Sequence, residues 1–298
     1  VKILFQTSNP QYAKYSGSWL GFSTAMRGIY RQDGVIGLFR GHSATLLRIF
    51  PYAGIKFLAY EQVRHVVIPS RQYETSVRRF VSGSMAGMVS VFFTYPLEVI
   101  RVRLAFETKR DSHNTLSSIC RKIYNERPRL TTPSGTTVSL KPVPLAGLAN
   151  FFRGFTATLW GMLPYAGASF LAHDTASDIL RSPPFANSTT IPGSEGGASN
   201  PDKPRQLKYW AELAAGGSAG FISQTVSYPL EVIRRRMQVG GVVGDGHRLR
   251  MGEVAARIWA EKGVRGFFVG LGIGYLKVVP MVATSFLVYE RAKWYMGI

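Results

Sequence analysis

The sequence predicts an all-α membrane protein made of three copies of one repeat, each with two long apolar helices joined by a polar segment. Three observations predict it. Tyr95 to Arg101 and Tyr228 to Arg234 are the same heptapeptide, Tyr-Pro-Leu-Glu-Val-Ile-Arg. A glycine-rich aromatic turn recurs, ending at Gly41, Gly154 and Gly270, and Pro51, Pro164 and Pro280 each follow ten residues later. Phe57, Phe170 and Phe286 keep one common offset, as do Glu61, Asp174 and Glu290. Internal self-similarity of this kind marks a repeat architecture. The third observation is charge. The 298 residues carry 36 Lys+Arg against 17 Asp+Glu, a net charge of +19. Residues 1–41, 101–154 and 234–270 hold 23 of the bases and 7 of the acids, hence +16. One side is basic and the other nearly neutral, as the positive-inside bias predicts.

Each element follows in order. Lys2 occupies the place of Arg101 and Arg234, so the first repeat is expected to lack most of its first helix. Residues 42–66 form an apolar stretch interrupted by Arg48 and Lys56. Phe80 to Leu97 carries no charge, and residues 155–173 and 209–230 are long and nearly free of it. The last stretch, 269–289, contains Lys277. A charge at mid-bilayer costs ~2.5–3.5 kcal/mol on insertion scales, so these bases are expected to face a cavity. Gly83 and Gly87, like Gly216 and Gly220, have the spacing that lets helix backbones approach closely. Pro96 and Pro229 are expected to kink their helices, since proline frees a backbone carbonyl. The repeats are expected over 1–66, 75–181 and 206–298, with 182–205 a flexible linker. Repeat two is longer, and its extra Pro/Thr/Ser-rich stretch around 128–146 reads as a mobile surface loop.

Composition excludes other classes. Cys120 is the single cysteine, which rules out a disulfide scaffold and a cysteine-based metal site. No two of the five histidines have metal-ligand spacing. Gly216 to Gly220 matches a hydrolase elbow around Ser218, but no strand precedes it and the repeat-equivalent of Ser218 is Met85. Gly270, Gly272 and Gly274 resemble a nucleotide-binding loop without its strand. No cofactor is implied, and no catalytic set. The mean hydropathy of +0.03 is low for a membrane protein. A soluble basic helical repeat protein that binds nucleic acid is therefore the rival from another class.

These residues are similar to the mitochondrial carrier family. Its signature joins Pro-x-[Asp/Glu]-x-x-[Lys/Arg]-x-[Lys/Arg] to [Asp/Glu]-Gly-x-x-x-x-[aromatic]-[Lys/Arg]-Gly, three times per chain. Pro96, Glu98, Arg101 and Arg103 match, as do Pro229, Glu231, Arg234 and Arg236. Asp33, Gly34, Phe39, Arg40 and Gly41 match the second half; Ala146, Lys262 and Val269 depart from it. The resemblance implies six tilted transmembrane helices around a cavity, matrix-side amphipathic helices, the inner mitochondrial membrane and alternating access by a monomer. It implies a matrix gate in which the base of one repeat pairs with the acid of the next. The expected pairs are Lys2–Glu98 and Arg101–Glu231, with Arg234 needing an acid of the absent helix. Gln6 and Gln238 would brace them. A cytoplasmic gate is implied at Tyr60, Glu61 and Arg64, at Asp174, and at Tyr289, Glu290 and Lys293; Ser177 stands where repeat two should have a base.

The family contacts substrate three residues before the shared proline. Those positions are Arg48, Gly161 with Met162, and Lys277. A glycine followed by an aliphatic residue accompanies adenine-containing substrates in the family, and the two bases suit phosphates. Tyr52 and Lys56 share a face with Arg48, and Tyr165 is the repeat-equivalent of Tyr52. The chain looks most like the coenzyme A carriers, the group of the Graves disease carrier and its fungal relatives. Coenzyme A is the implied substrate. An ADP/ATP or ATP-Mg carrier is the alternative, although Gln238 breaks the three-methionine run of the major ADP/ATP exchanger. Arg40, Gly41, Arg153 and Gly154 are implied to hold cardiolipin. Restoring the missing base by Ser177→Lys is expected to strengthen the cytoplasmic gate and slow transport. Unchanged uptake rates in proteoliposomes would remove the role given to position 177.

Overall fold

A computed structural model describes residues 1–15, 19–39, 41–69, 75–107, 115–126, 129–131, 137–139, 144–191, 205–243, 249–278 and 288. It divides into two compact units: Val1–Ala157 with Val232–Ile273, and Thr158–Glu231 with Gly274–Ile298. The helices are α1 (Lys2–Gln6), α2 (Trp19–Leu38), α3 (His42–Val67), α4 (Ser76–Phe106) and α5 (Leu116–Asn125). Then come α6 (Pro144–Ala149), α7 (Phe155–Arg181), α8 (Pro183–Thr189), α9 (Tyr209–Val243) and α10 (Met251–Lys262), and the chain is again helical over 271–278.

Two segments differ from the sequence expectation. The stretch around 128–146 is not wholly a loop, and the chain is not strictly all-α. β1 (Arg129–Thr131) pairs antiparallel with β2 (Thr137–Ser139). Thr131, Thr137 and Val138 are the β-branched residues that a strand favours. The expected linker at 182–205 begins with α8, which Ser182 precedes and Pro183 opens, as proline suits the first helical position. Thr190 then bridges to Leu207. Residues 132–136, 140–143 and 192–204 lie outside the described residues.

In the first unit, short amphipathic helices pack under the ends of long ones. Ala25 and Ile29 of α2, Ile119 and Ile123 of α5, and Val254 and Ile258 of α10 are all buried. Each pair is spaced four apart, so both members face inward. Ile119 and Ile123 join Ala44, Tyr95, Val99, Ile100 and Leu104 in one core; Leu4, Phe5, Tyr12, Ala25 and Ile29 form another.

The long helices run through their prolines. Pro51 lies inside α3, Pro96 inside α4, Pro164 inside α7 and Pro229 inside α9. Among the described residues one helical stretch, Val81–Phe106, is long and apolar enough to cross a membrane, with mean hydropathy 1.3. Its hydroxyls are internally satisfied: Ser90 donates to the Ala86 carbonyl at 2.8 Å and Thr94 to the Ser90 carbonyl at 2.7 Å. The other long helices also expose large apolar side chains. Leu47 and Phe50 on α3, Trp160, Leu163 and Leu171 on α7, and Leu213 and Ile222 on α9 are all more than a third exposed. Apolar surface of this extent requires something other than water against it.

The repeat is visible in the backbone. Gly41, Gly154 and Gly270 have φ of 79°, 81° and 83°. Gly41 and Gly154 are needed for space as well. A Cβ on Gly41 would lie 3.1 Å from the Arg101 carbonyl oxygen, and one on Gly154 would lie 3.1 Å from the Arg234 carbonyl oxygen. The glycine turns of repeats one and two thus abut the motif base of the following repeat. By contrast, a Cβ on Gly83, Gly216 or Gly220 would meet nothing within 4 Å among the described residues. Gly154→Ala is expected to cost about 1–2 kcal/mol for the left-handed backbone alone, lowering the thermal unfolding midpoint in detergent. Gly216→Ala should leave that midpoint unchanged or raised. Equal behaviour of the two variants would contradict the close contact at Gly154.

Candidate functional site

The site grows from one carboxylate. Glu98, on α4 just past Pro96, is 4% exposed. It accepts a short hydrogen bond from Arg234 and another from Arg235 Nη1 at 2.9 Å. Arg48 Nη1 on α3 lies 3.6 Å from the same carboxylate. Arg101 lies close enough to feel the like charges of Arg48 and Arg235. Arg48 also sits over the ring of Tyr52, with its guanidinium carbon 5.7 Å from the centroid, so Tyr52 helps to orient it.

A hydrogen-bond chain holds this cluster in place. Arg235 Nη1 donates to Gln238 Oε1 at 3.0 Å, and Gln238 Nε2 donates to the Tyr95 hydroxyl at 3.1 Å. Tyr95 in turn donates to the Arg153 carbonyl at 2.9 Å. The second motif bases act as fasteners. Arg103, fully buried, donates from Nε to the Gln238 carbonyl at 2.8 Å and pairs with Glu126 at 2.9 Å. Its repeat-equivalent Arg236 pairs with Glu261 at 2.7 Å and donates to Ser8 Oγ at 2.7 Å. Arg103 thus reaches from repeat two into repeat three, and Arg236 from repeat three back to repeat one, both within the first unit.

Several expectations are corrected here. Arg234 does not wait for an acid of the absent helix; it binds Glu98. The acid of repeat two therefore serves the base of repeat three, the reverse of the sense that assigned Glu98 to Lys2. Arg48, Gly161 and Lys277 are not mid-helix but lie in the second turns of α3, α7 and the helix over 271–278. Arg153, expected at a lipid headgroup, is buried and engaged: its Nη1 pairs with Glu126 at 2.9 Å and its Nη2 donates to Asn150 at 3.2 Å. Gly154 lines a pocket of about 190 Å³ with Ala149, Phe152, Thr156, Met237 and Leu249. Gln6 is buried and Lys2 half-buried on α1, whose Leu4 and Phe5 belong to the second core.

The other expected residues are placed as follows. Tyr60 is half-buried on α3, where Lys56, Glu61 and Arg64 are exposed. In the second unit Asp174 is 77% exposed in its side chain and lies 3.9 Å from His173 Nδ1. Ser177 is buried. Met162 is half-buried and Tyr165 exposed on α7, Glu231 is half-buried, and Lys277 is exposed. A Cβ on Gly161 would come to 3.6 Å from Leu230 Cβ. Ser218 donates to the Ala215 carbonyl at 2.9 Å within α9, as a helix residue and not a nucleophile. Burial pushes the Cys120 thiol up, and it packs on the core around Ile119. Arg40, Tyr289, Glu290 and Lys293 lie outside the described residues.

A threefold signature whose acid and bases interlock between repeats defines a class. A family model described as mitochondrial carrier protein matches residues 1–71, 72–183 and 205–297, and this chain belongs to the mitochondrial carrier family, whose members are transporters. It is 51% identical over its whole length to mitochondrial carrier protein LEU5 of Saccharomyces cerevisiae, covering 84% of that protein. It is 34% identical to human solute carrier family 25 member 16, over 98% of this chain and 80% of the relative. Mitochondrial carrier protein CoAc2 of Zea mays is 33% identical over 98% of this chain and 79% of the relative.

Sequence reasoning missed Tyr95 and undervalued Arg235. The signal for Tyr95 was present: a tyrosine repeated at 228 inside an apolar helix needs a partner for its hydroxyl. Tyr95→Phe leaves the Arg153 carbonyl and Gln238 short of one buried partner each, which costs about 1–3 kcal/mol. The expected result is a lower unfolding midpoint and a leakier closed state. A midpoint within error of the parent would show that the hydroxyl carries no structural weight.

Proposed function

We propose that this carrier moves coenzyme A, or a closely related adenine-containing phosphorylated molecule, across the inner mitochondrial membrane. The observation that carries the proposal is the set of repeat-equivalent positions: bases at Arg48 and Lys277, and Gly161 with Met162 between them. The bases suit phosphate groups, and the glycine with its apolar neighbour suits a flat purine. Arg48 with Tyr52 stacked beneath it supports an anion-binding role. Lys56 and Tyr165 extend the contact faces of their own helices. The name of the maize relative, CoAc2, supports the same substrate.

In this reading six helices span the bilayer and the protein works as a monomer by alternating access. Glu98 with Arg234 and Arg235 forms one part of the matrix gate. Lys2, Arg101 and Glu231 supply further charges of that gate, with Gln6 and Gln238 as braces. Tyr60, Glu61, Arg64, Asp174, Tyr289, Glu290 and Lys293 form the gate on the other side. Cardiolipin is held at the turns of Gly41 and Gly154, where backbone N–H groups at a helix start offer an anion site. The Gly154 pocket supports that placement.

The test is uptake of labelled coenzyme A, 3′,5′-ADP, ADP and ATP into proteoliposomes. Coenzyme A and 3′,5′-ADP should enter, and Lys277→Ala should reduce their uptake at least tenfold, as loss of one charge-assisted phosphate contact does. Transport of ATP without coenzyme A or 3′,5′-ADP would make this an adenine nucleotide carrier instead.

A further inference from the structure

The link between α7 and α9 hides its polar groups and shows its apolar ones. By composition Ser182 to Thr190 should suit water, since it holds four hydroxyls and an asparagine. All four hydroxyls are spent inside the chain. Ser182 donates to the Ile179 carbonyl at 2.5 Å, Ser188 to that of Phe185 at 2.9 Å, Thr189 to that of Leu180 at 2.5 Å and Thr190 to that of Ala186 at 2.5 Å. Thr189 and Thr190 are buried, whereas Phe185 is 49% exposed and Ile191 is also exposed. Pro183 and Pro184 open α8 with no backbone N–H groups to leave unpaired. After α8 the backbone closes on the entry to α9. The Ile191 N–H donates to the Gln206 carbonyl at 3.0 Å and the Lys208 N–H to the Thr189 carbonyl at 2.7 Å. Arg181 Nε donates to the Arg205 carbonyl at 3.0 Å. Tyr209 and Trp210, which start α9, are 86% and 54% exposed, and Trp210 shares a face with exposed Leu213 three residues on.

We propose that α8 is an interfacial anchor, lying in the headgroup region of the bilayer at the C-terminal end of α7. Its partner is the lipid surface itself. Only Ser182 separates α8 from α7, whose 27 residues make a helix about 40 Å long, enough to carry the chain across the hydrocarbon. A segment that follows such a helix with its hydroxyls spent and its rings outward fits the boundary between lipid and water, where Trp and Tyr gather. Its backbone groups are paired at both ends, so entry into that boundary strands few of them. The flanks of α8 are unlike. Phe185 and Asn187 are both exposed and stand about 200° apart around the helix. The Phe185 flank meets acyl chains, and the Asn187 flank meets water. The adjoining bases Arg181, Arg205 and Lys208 are opposed by Asp178 and Glu212, so apolar insertion rather than charge carries the contact. The anchor holds the end of α7 and the start of α9 at one depth, and a change of access must tilt both helices about that level. The inference rests on the reading that α7 and α9 span the bilayer.

The test places a nitrobenzoxadiazole dye at single cysteines in the full chain, in a Cys120→Ser background, reconstituted in phosphatidylcholine vesicles. A dye on Phe185→Cys should be quenched by lipid that carries a nitroxide on the upper acyl chain. It should lose most of its quenching by aqueous iodide present on both sides of the membrane. A dye on Asn187→Cys should show the reverse. A dye-free measurement accompanies these: Trp210→Phe should remove part of the quenching of intrinsic fluorescence by brominated lipid. Iodide that reaches positions 185 and 187 equally would put α8 in water and overturn the proposal. Shielding of position 185 from both quenchers would mean that another part of the chain covers it, and would overturn the proposal too. A dye on Leu171→Cys separates this inference from the reading beneath it. If lipid quenches position 171 but not position 185, the anchor fails and the span of α7 stands; if lipid quenches neither, the spanning reading falls as well.

Discussion

Glu98 is a carboxylate taken almost wholly out of water, and an unpaired charge in that position would cost several kcal/mol. The cost is offset because α3 and α9 both bring guanidinium groups to it. Those helices belong to repeats one and three, while Glu98 belongs to repeat two. One buried charge thus ties together elements far apart in the chain. Its surroundings serve to aim it: Gln238 holds Arg235, Tyr95 holds Gln238, and the Gly154 turn brings the Arg153 carbonyl within reach of Tyr95. Replacing any member leaves the others with buried polar atoms unsatisfied, which is why the network behaves as a unit.

The bilayer explains what water would not tolerate. Phe50, Trp160, Leu163 and Leu171 stand outside any core. The long helices fall short of a simple apolar span because they also carry Arg48, Lys56 and the Arg234–Arg236 run. Membership of a transporter family reconciles the two facts. In the proposed bilayer setting the apolar side chains lie against lipid and the charges on faces turned away from it. Hydroxyls such as those of Ser90 and Thr94 remain compatible with an apolar setting because they bond back to their own helix.

Much of this was legible from repetition. The duplicate heptapeptide located Glu98 and Arg234, and the glycine offsets located Gly41 and Gly154. The direction of pairing was not legible. Three equivalent acids and bases can be matched in either rotational sense, and only the placement of α9 against α4 decides it. Arg235 was ambiguous for a similar reason: neighbouring arginines differ by about 100° around a helix, and the sequence does not say which faces inward. The hairpin at 129–139 and α8 were obscured by the Pro, Thr and Ser that usually mark irregular chain. The lipid role given to Arg153 failed to foresee Glu126, an acid outside the repeated motif.

The Gly41 and Gly154 turns have a mechanical consequence. Each brings the start of one helix against another so closely that a methyl group would push the facing carbonyl by a few tenths of an ångström, and each such seam joins neighbouring copies of the repeat instead of falling inside one. The stiff pieces of the molecule are consequently out of phase with its genetic pieces. The helix that follows Gly41 abuts the last turns of α4, in the next copy. Any sliding that opens a path must occur elsewhere, along surfaces that the duplicated sequence alone would have marked as continuous.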